Sequence, residues 1–163
     1  GEKMRQQLAD AGYSVCKFVF AHGEESKTLD TVTRVYDFLS ENSITRSDLI
    51  LALGGGVVGD LAGFAASSWL RGIGFIQIPT TFLAMIDSSV GGKTGVDIPQ
   101  GKNLVGAFWQ PKLVVCDPNT LDTLPEETLA DGIAEAIKYG AILDSSLFEL
   151  LENSDLKEHL EEV

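Results

Sequence analysis

Leu51-Ala-Leu-Gly-Gly-Gly-Val-Val-Gly-Asp60 joins a short apolar run to three consecutive glycines and then to a stretch of small residues. The apolar part, Leu49–Leu53, is continuous rather than alternating, which predicts a strand buried on both faces. The small-residue stretch, about Val57 to Trp69, predicts a helix. A strand that ends in glycines where a helix begins has a direct physical use. The first N–H groups of a helix lack intrahelical partners and carry a partial positive charge. Glycines without Cβ let a pyrophosphate approach that backbone closely. The spacing is not G-x-G-x-x-G, so the generic dinucleotide fingerprint does not apply as written. The alternative is a tight turn with close helix–strand packing, served by Gly59 and Gly63.

Working outward, strand and helix signals alternate. Upstream, residues 2–11 carry a helical pattern stopped at Gly12. Val15–Phe20 reads as a strand, and Ser26 to Leu39 as a helix with Leu29, Val32, Val35, Tyr36 and Leu39 on one side. Downstream, Phe75–Ile78 is a strand ended by Pro79, and a short helix holds Phe82, Leu83 and Met85. Ser88 to Gly95 reads as a flexible polar loop, and Leu104–Phe108 and Leu113–Cys116 as strands. From Pro125 the pattern is wholly helical, Glu126 to Leu143 and then Ser146 to Glu152. This order predicts an α/β fold: a Rossmann-like parallel sheet domain over 1–118, followed by the start of an all-helical domain over 119–163. The chain opens at Gly1 in mid-pattern and closes in an acidic helical stretch, so it reads as a piece cut at both ends.

The 163 residues suffice for one domain with a real core. A net charge of -12 argues against nucleic acid as a partner. No apolar run approaches the roughly 20 residues of a bilayer span, and no signal peptide is evident, so a cytoplasmic location is expected. Cys16 and Cys116 lie in apolar runs and are expected to be buried free thiols. Between Leu70 and Cys116 the charge reverses: Arg71, Lys93, Lys102 and Lys112 face only Asp87 and Asp97. A positive island in an acidic chain suits an anionic ligand, with chance clustering as the alternative.

Three further stretches carry chemistry. Ile78-Pro-Thr-Thr81 sets two hydroxyls after a strand's carboxyl end, where open α/β sheets bind ligands, though either threonine equally suits a helix N-cap. Asp87-Ser-Ser-Val-Gly-Gly-Lys-Thr-Gly95 ends like a P-loop. The first glycine of that motif would fall at Asp87, which excludes it. A lysine among hydroxyls remains, suited to phosphate, and Gly101-Lys102-Asn103 repeats the theme. Glu135 and Lys138 are three apart on a helix and share a face, as a surface ion pair or as a buried ligand and hydroxyl-binding pair.

Taken together, Gly-Gly-Gly-Val-Val-Gly-Asp, Arg71-Gly, Ile-Pro-Thr-Thr, Asp87 to Gly95, Gly101-Lys-Asn-Leu-Val-Gly-Ala-Phe-Trp-Gln-Pro111 and Gly132-Ile-Ala-Glu-Ala-Ile-Lys-Tyr-Gly140 resemble, in order and spacing, the 3-dehydroquinate synthases. The likeness is near-continuous from Leu51 to about Leu151. The resemblance implies conversion of 3-deoxy-D-arabino-heptulosonate 7-phosphate to 3-dehydroquinate in the shikimate pathway, with NAD and a divalent metal, expected to be zinc. It implies a nucleotide loop at His22, Gly23, Glu24 and Lys27, and a pyrophosphate cradle at Gly55, Gly56, Val57, Val58, Gly59 and Asp60. Thr80, Thr81, Lys93, Lys102 and the Thr120, Leu121, Asp122, Thr123 segment would complete the NAD site. Lys93 and Asn103 would hold the substrate phosphate, joined by Arg71 from a neighbouring subunit of a homodimer. Asp87 and Lys138 would bind substrate hydroxyls, and Glu135 would ligate the metal.

The departure is in the remaining metal ligands, which in that family are later histidines. His22 and His159 do not fit those places, so the chain by itself is expected to be inactive. Three rivals stand beside this reading. Another sugar-phosphate cyclase of the same fold would differ mainly in residues beyond this chain. A metal-dependent alcohol or glycerol dehydrogenase would not need Lys93 or the Gly-Lys-Asn stretch. A non-catalytic nucleotide-binding module would bind without turnover.

Overall fold

The computed structural model describes residues 1–153; His159 and the rest of 154–163 lie outside the described residues. In chain order the elements are helices α1 (Glu2–Asp10) and α2 (Leu29–Glu41), strand β1 (Leu49–Gly54), helix α3 (Gly56–Ser68), and strands β2 (Gly74–Pro79), β3 (Lys93–Ile98), β4 (Gly101–Phe108) and β5 (Leu113–Val114). Helices α4 (Glu126–Leu143) and α5 (Ser145–Asn153) follow. Short 3₁₀ segments lie at Glu24–Ser26, Trp69–Arg71 and Pro118–Thr123, and a π-type turn at Ala84–Ser88.

β1, β2 and β5 form a parallel sheet with β2 in the middle, and Leu49 to Gly54 run opposite Gly74 to Pro79. α3 covers one face of it. Its small residues allow close approach: a Cβ on Gly59 would stand 2.8 Å from Gln77 Oε1, and one on Gly63 would strike Thr94 and Phe75. Leu61, Ala65 and Ala66 are thereby sealed, together with Phe75. Burying the phenylalanine alone is worth about 2–3 kcal/mol. A second core holds Phe82, Leu121, Leu129 and Ala136, where α4 meets the turn after β2.

The expected parallel α/β order holds for β1, α3, β2 and β5, and α4 has the predicted limits. Four expectations need correction. Leu49 and Leu51 are exposed: β1 is an edge strand, and in its burial pattern only Ala52 is fully buried. Val15–Phe20 forms no strand: among the described residues none pairs with it, and an apolar run without a ladder is not a strand. The flexible loop at Ser88 to Gly95 is instead a tight turn leading into β3, which pairs antiparallel with β4 in a separate sheet, Lys93 opposite Phe108 and Gly95 opposite Gly106. Cys16 and Cys116 are free, as expected, but exposed, since neither flanking run is a covered strand.

Candidate nucleotide and anion site

The glycine turn sits where β1 hands over to α3. Gly54, at φ 159°, adopts a conformation that a side chain would jam against Val58. A Cβ on Gly55 would lie 3.0 Å from Thr81 Cγ2, and one on Gly56 would lie 3.1 Å from Ser88 Oγ. The turn is therefore walled by the hydroxyl residues that follow β2. The N–H groups of Gly56 and Val57 precede the first helical bond and have no carbonyl within the helix to donate to. A dinucleotide's pyrophosphate fits this arrangement: bare backbone, unpaired donors, the positive helix end and no Cβ to hold the anion away. Thr81 also caps the next turn, its Oγ1 accepting from Ala84 N at 3.3 Å, as the capping reading expects.

Asp60, the fifth residue of α3, meets a buried lysine. Lys27 Nζ lies 2.5 Å from Asp60 Oδ2, with the side chains 5% and 19% exposed. The same ammonium donates to Asn103 Oδ1 at 2.6 Å. Burial pushes the Asp60 carboxyl above its ordinary value while Lys27 pulls it back down. Asn103 N in turn donates to Asp97 Oδ1 at 2.7 Å, and Asp97 N to Lys27 O at 2.8 Å. Lys102 lies 3.6 Å from Glu24 on the surface nearby.

The other side is built by α4. Gly132 lets the helix close on Phe82 and Leu83, for a Cβ there would stand 2.6 Å from Leu83 N. That closeness brings Tyr139 Oη to 3.0 Å from Asp87 Oδ1, and Asp87 also lies 3.7 Å from Lys93 Nζ. Lys138, the residue before Tyr139, pairs with Glu135 one turn back, and its ammonium stands 4.9 Å over the Tyr139 ring. The hydrogen bond to Asp87 pushes the Tyr139 phenol up to about 12, since the phenolate would face a carboxylate. Glu135 is 19% exposed and Lys138 51%, so the pair straddles the surface: neither the plain surface pair nor a buried one.

Some expected residues stand apart. Arg71 is exposed at the far end of α3 with φ 68°, and its guanidinium makes no hydrogen bond or ion pair with a described residue. The thirteen residues of α3 separate it from the glycine turn by about 20 Å along the helix. His22 is exposed beside Gly23, whose φ of 103° lets the Glu25 carboxylate fold close over it. In the Pro118–Thr123 turn, Thr120 Oγ1 donates to Asp117 O at 2.8 Å and the Leu121 side chain is committed to the core. Among the described residues no group of three or more His, Cys, Asp or Glu side chains stands together to hold a metal ion. Glu135 alone does not make such a site, so a metal does not fit the described residues by themselves.

Reading the sequence alone misses Asp97, Ser88 and Tyr139. Tyr139 had a legible signal: a tyrosine in an apolar helix needs a partner for its hydroxyl. Asp97 and Ser88 had none, because their roles depend on the β3–β4 hairpin and the π-type turn.

A family model described as 3-dehydroquinate synthase N-terminal matches residues 17–131. The chain belongs to the 3-dehydroquinate synthase family. It is 55% identical over 167 residues to the 3-dehydroquinate synthase of Clostridium acetobutylicum, covering 100% of this chain and 47% of that protein. It spans less than half the length of the curated 3-dehydroquinate synthases it matches. Among solved structures it superposes on the 2-epi-5-epi-valiolone synthase of Streptomyces hygroscopicus subsp. jinggangensis, which has NAD+ and Zn2+ bound, with a TM-score of 0.91 at 36% identity, over 96% of this chain and 44% of that one. A 2-deoxy-scyllo-inosose synthase complexed with carbaglucose-6-phosphate, NAD+ and Co2+ follows, with a TM-score of 0.70 at 41% identity, over 73% of this chain and 32% of that one.

Proposed function

We propose that this chain supplies the nucleotide-binding part of a 3-dehydroquinate synthase, the enzyme that turns 3-deoxy-D-arabino-heptulosonate 7-phosphate into 3-dehydroquinate and phosphate. The observation that carries the reading is the position of two consecutive residues. Ser88 closes the glycine turn, and Asp87 meets Tyr139 on the helix that bears Glu135 and Lys138. One short turn thus holds a dinucleotide cradle beside a charged face suited to a sugar acid.

NAD, when bound, supplies the hydride acceptor and donor for a transient oxidation and its reversal. The residues of this chain do the rest by position and charge. Gly55 and the start of α3 as far as Asp60 seat the pyrophosphate, with Thr80, Thr81, Lys102, Glu24 and the Thr120–Thr123 turn around the nucleotide. Lys93 and Asn103 neutralise and orient the substrate phosphate that is eliminated. Asp87 and Lys138 hold substrate hydroxyls in register. Glu135 offers one carboxylate to a metal whose other ligands would come from outside the described residues.

Arg71, exposed at the opposite end of α3, supports a contribution to a second copy's phosphate site and hence a homodimer. We place the domain boundary at 118/119, where the sheet has ended and the turn leading to α4 begins. Among the described residues no helix is long and apolar enough to cross a membrane, which is compatible with a cytoplasmic setting.

The test is an assay of the intact protein with NAD and a divalent metal. Dehydroquinate and phosphate are expected in equal amounts, with no net NADH. Steady NADH formation from glycerol without phosphate release would replace this reading by a dehydrogenase. Nucleotide binding without turnover would replace it by a binding module. The 163-residue chain alone is expected to form no dehydroquinate, and any it formed would overturn that part.

A further inference from the structure

The contacts of Lys27 set it apart from every other lysine described. It is buried, its charge is met by Asp60 at 2.5 Å, and it donates to Asn103 Oδ1 at 2.6 Å. Three hydrogen bonds close a ring: Lys27 Nζ to Asn103 Oδ1, Asn103 N to Asp97 Oδ1 at 2.7 Å, and Asp97 N to Lys27 O at 2.8 Å. Asn103 sits in this ring at φ 56°, a left-handed conformation that asparagine tolerates better than most residues.

We propose that Lys27 is a positioning residue that fixes the amide of Asn103 as an outward donor toward the anion site. The chemistry leaves one orientation. An ammonium has three donors and no acceptor, so only the amide oxygen can face it. The Asn103 Nδ2 group, with both its hydrogens, is thereby turned away from Lys27. A free asparagine can show an anion either its oxygen or its nitrogen, and one held by Lys27 shows only donors. Because Asp60 already neutralises the ammonium, Lys27 acts through Asn103 rather than by touching the anion. The same ammonium ties Asp60, near the start of α3, to the β3–β4 hairpin, so the nucleotide and phosphate sites share one buried charge.

This inference rests on the reading of Asn103 as a ligand of the substrate phosphate. The test is steady-state kinetics of the intact protein at saturating NAD, with Lys27→Met, Asn103→Ala and the double variant. Each single change is expected to raise KM for the sugar-acid phosphate about tenfold, the scale of a lost charge-assisted contact, with kcat changed much less. The double variant is expected to match Asn103→Ala alone. Effects that multiply to about a hundredfold would overturn the inference, because Lys27 would then act independently of Asn103. If Asn103→Ala raises KM and Lys27→Met does not, the inference falls and the anion-site reading survives. If Asn103→Ala leaves KM unchanged, both fall. Should Lys27→Met not fold, Lys27→Met combined with Asp60→Asn removes both buried charges and is expected to show the same raised KM. An unchanged KM in that variant would equally overturn the inference.

Discussion

The pairs Lys27–Asp60 and Lys138–Glu135 both join a lysine to a carboxylate, and their surroundings differ. Lys27 and Asp60 are 5% and 19% exposed, whereas Lys138 is 51% exposed beside Glu135 at 19%. The attraction is the same, but the desolvation is not. A pair taken out of water is held rigidly, because separating it strands a charge where no solvent can answer it. A pair whose ammonium stays in water costs little to open, and its members can turn to a ligand. The buried pair is therefore a strut joining three segments of chain. The half-exposed pair can open to solvent at little cost.

Breaking the strut is expected to have the largest effect. Lys27→Met leaves Asp60 without its counter-charge and should cost about 3 kcal/mol, the low end for a buried pair because Asp60 retains some contact with water. Adding Asp60→Asn should recover most of that loss. Urea unfolding midpoints at unchanged slope measure both. If the single variant is as stable as the parent protein, the pair is not a strut.

Next in size is Gly132→Ala. A Cβ at that position meets Leu83 N and Phe82 Cδ1, both at 2.6 Å, and the backbone member of that pair cannot swing aside. A loss of about 2 kcal/mol is expected, the scale of overpacking in a close helix contact. Tyr139 should be carried away from Asp87 at the same time. A protein of parental stability would show that α4 has room to spare.

The two sides also differ in how far they could be read from sequence. The β1–glycine–α3 unit was legible because it is local: a continuous apolar run, three glycines and a small-residue helix lie within twenty residues, and each predicts its neighbour. The limits of α4 followed from periodicity for the same reason. The Lys27 ring was not legible, since it depends on pairing residues 76 apart in the chain, Lys27 with Asn103. The hairpin that carries Asn103 begins in a glycine- and serine-rich polar stretch that looks like a loop. Its strands hold because Gly95 and Gly106 face one another with backbone where side chains would be, and composition does not show that.

Opening the half-exposed pair should matter less to folding. Lys138→Ala is expected to shift stability by about 0.5 kcal/mol or less, as exposed ion pairs do, while strongly reducing turnover in the intact protein. Denaturation and kinetics on the same preparation separate the two. A large loss of stability with proportionate loss of activity would make Lys138 a structural residue and erase its contrast with Lys27.

The smallest expected effect is the most local, and it tests the contact that ties α4 to Asp87. Because Tyr139 donates to the Asp87 carboxylate, its phenol is pushed from 10.0 to about 12. A folded-state value above the unfolded one means that folding favours the neutral phenol. The contribution is whole below pH 10 and is lost as the pH climbs towards 12. An ultraviolet difference titration, with Tyr139→Phe to assign the step among the three tyrosines, is expected to show this late ionisation. Asp87→Asn removes the negative charge that opposes the phenolate, and the same step should move down toward the ordinary tyrosine range. A Tyr139 that titrates near 10.0 in the parent protein would mean that the hydrogen bond is not held. Asp87 would then be free of α4, and the exposed pair would no longer be linked to the turn that walls the glycines.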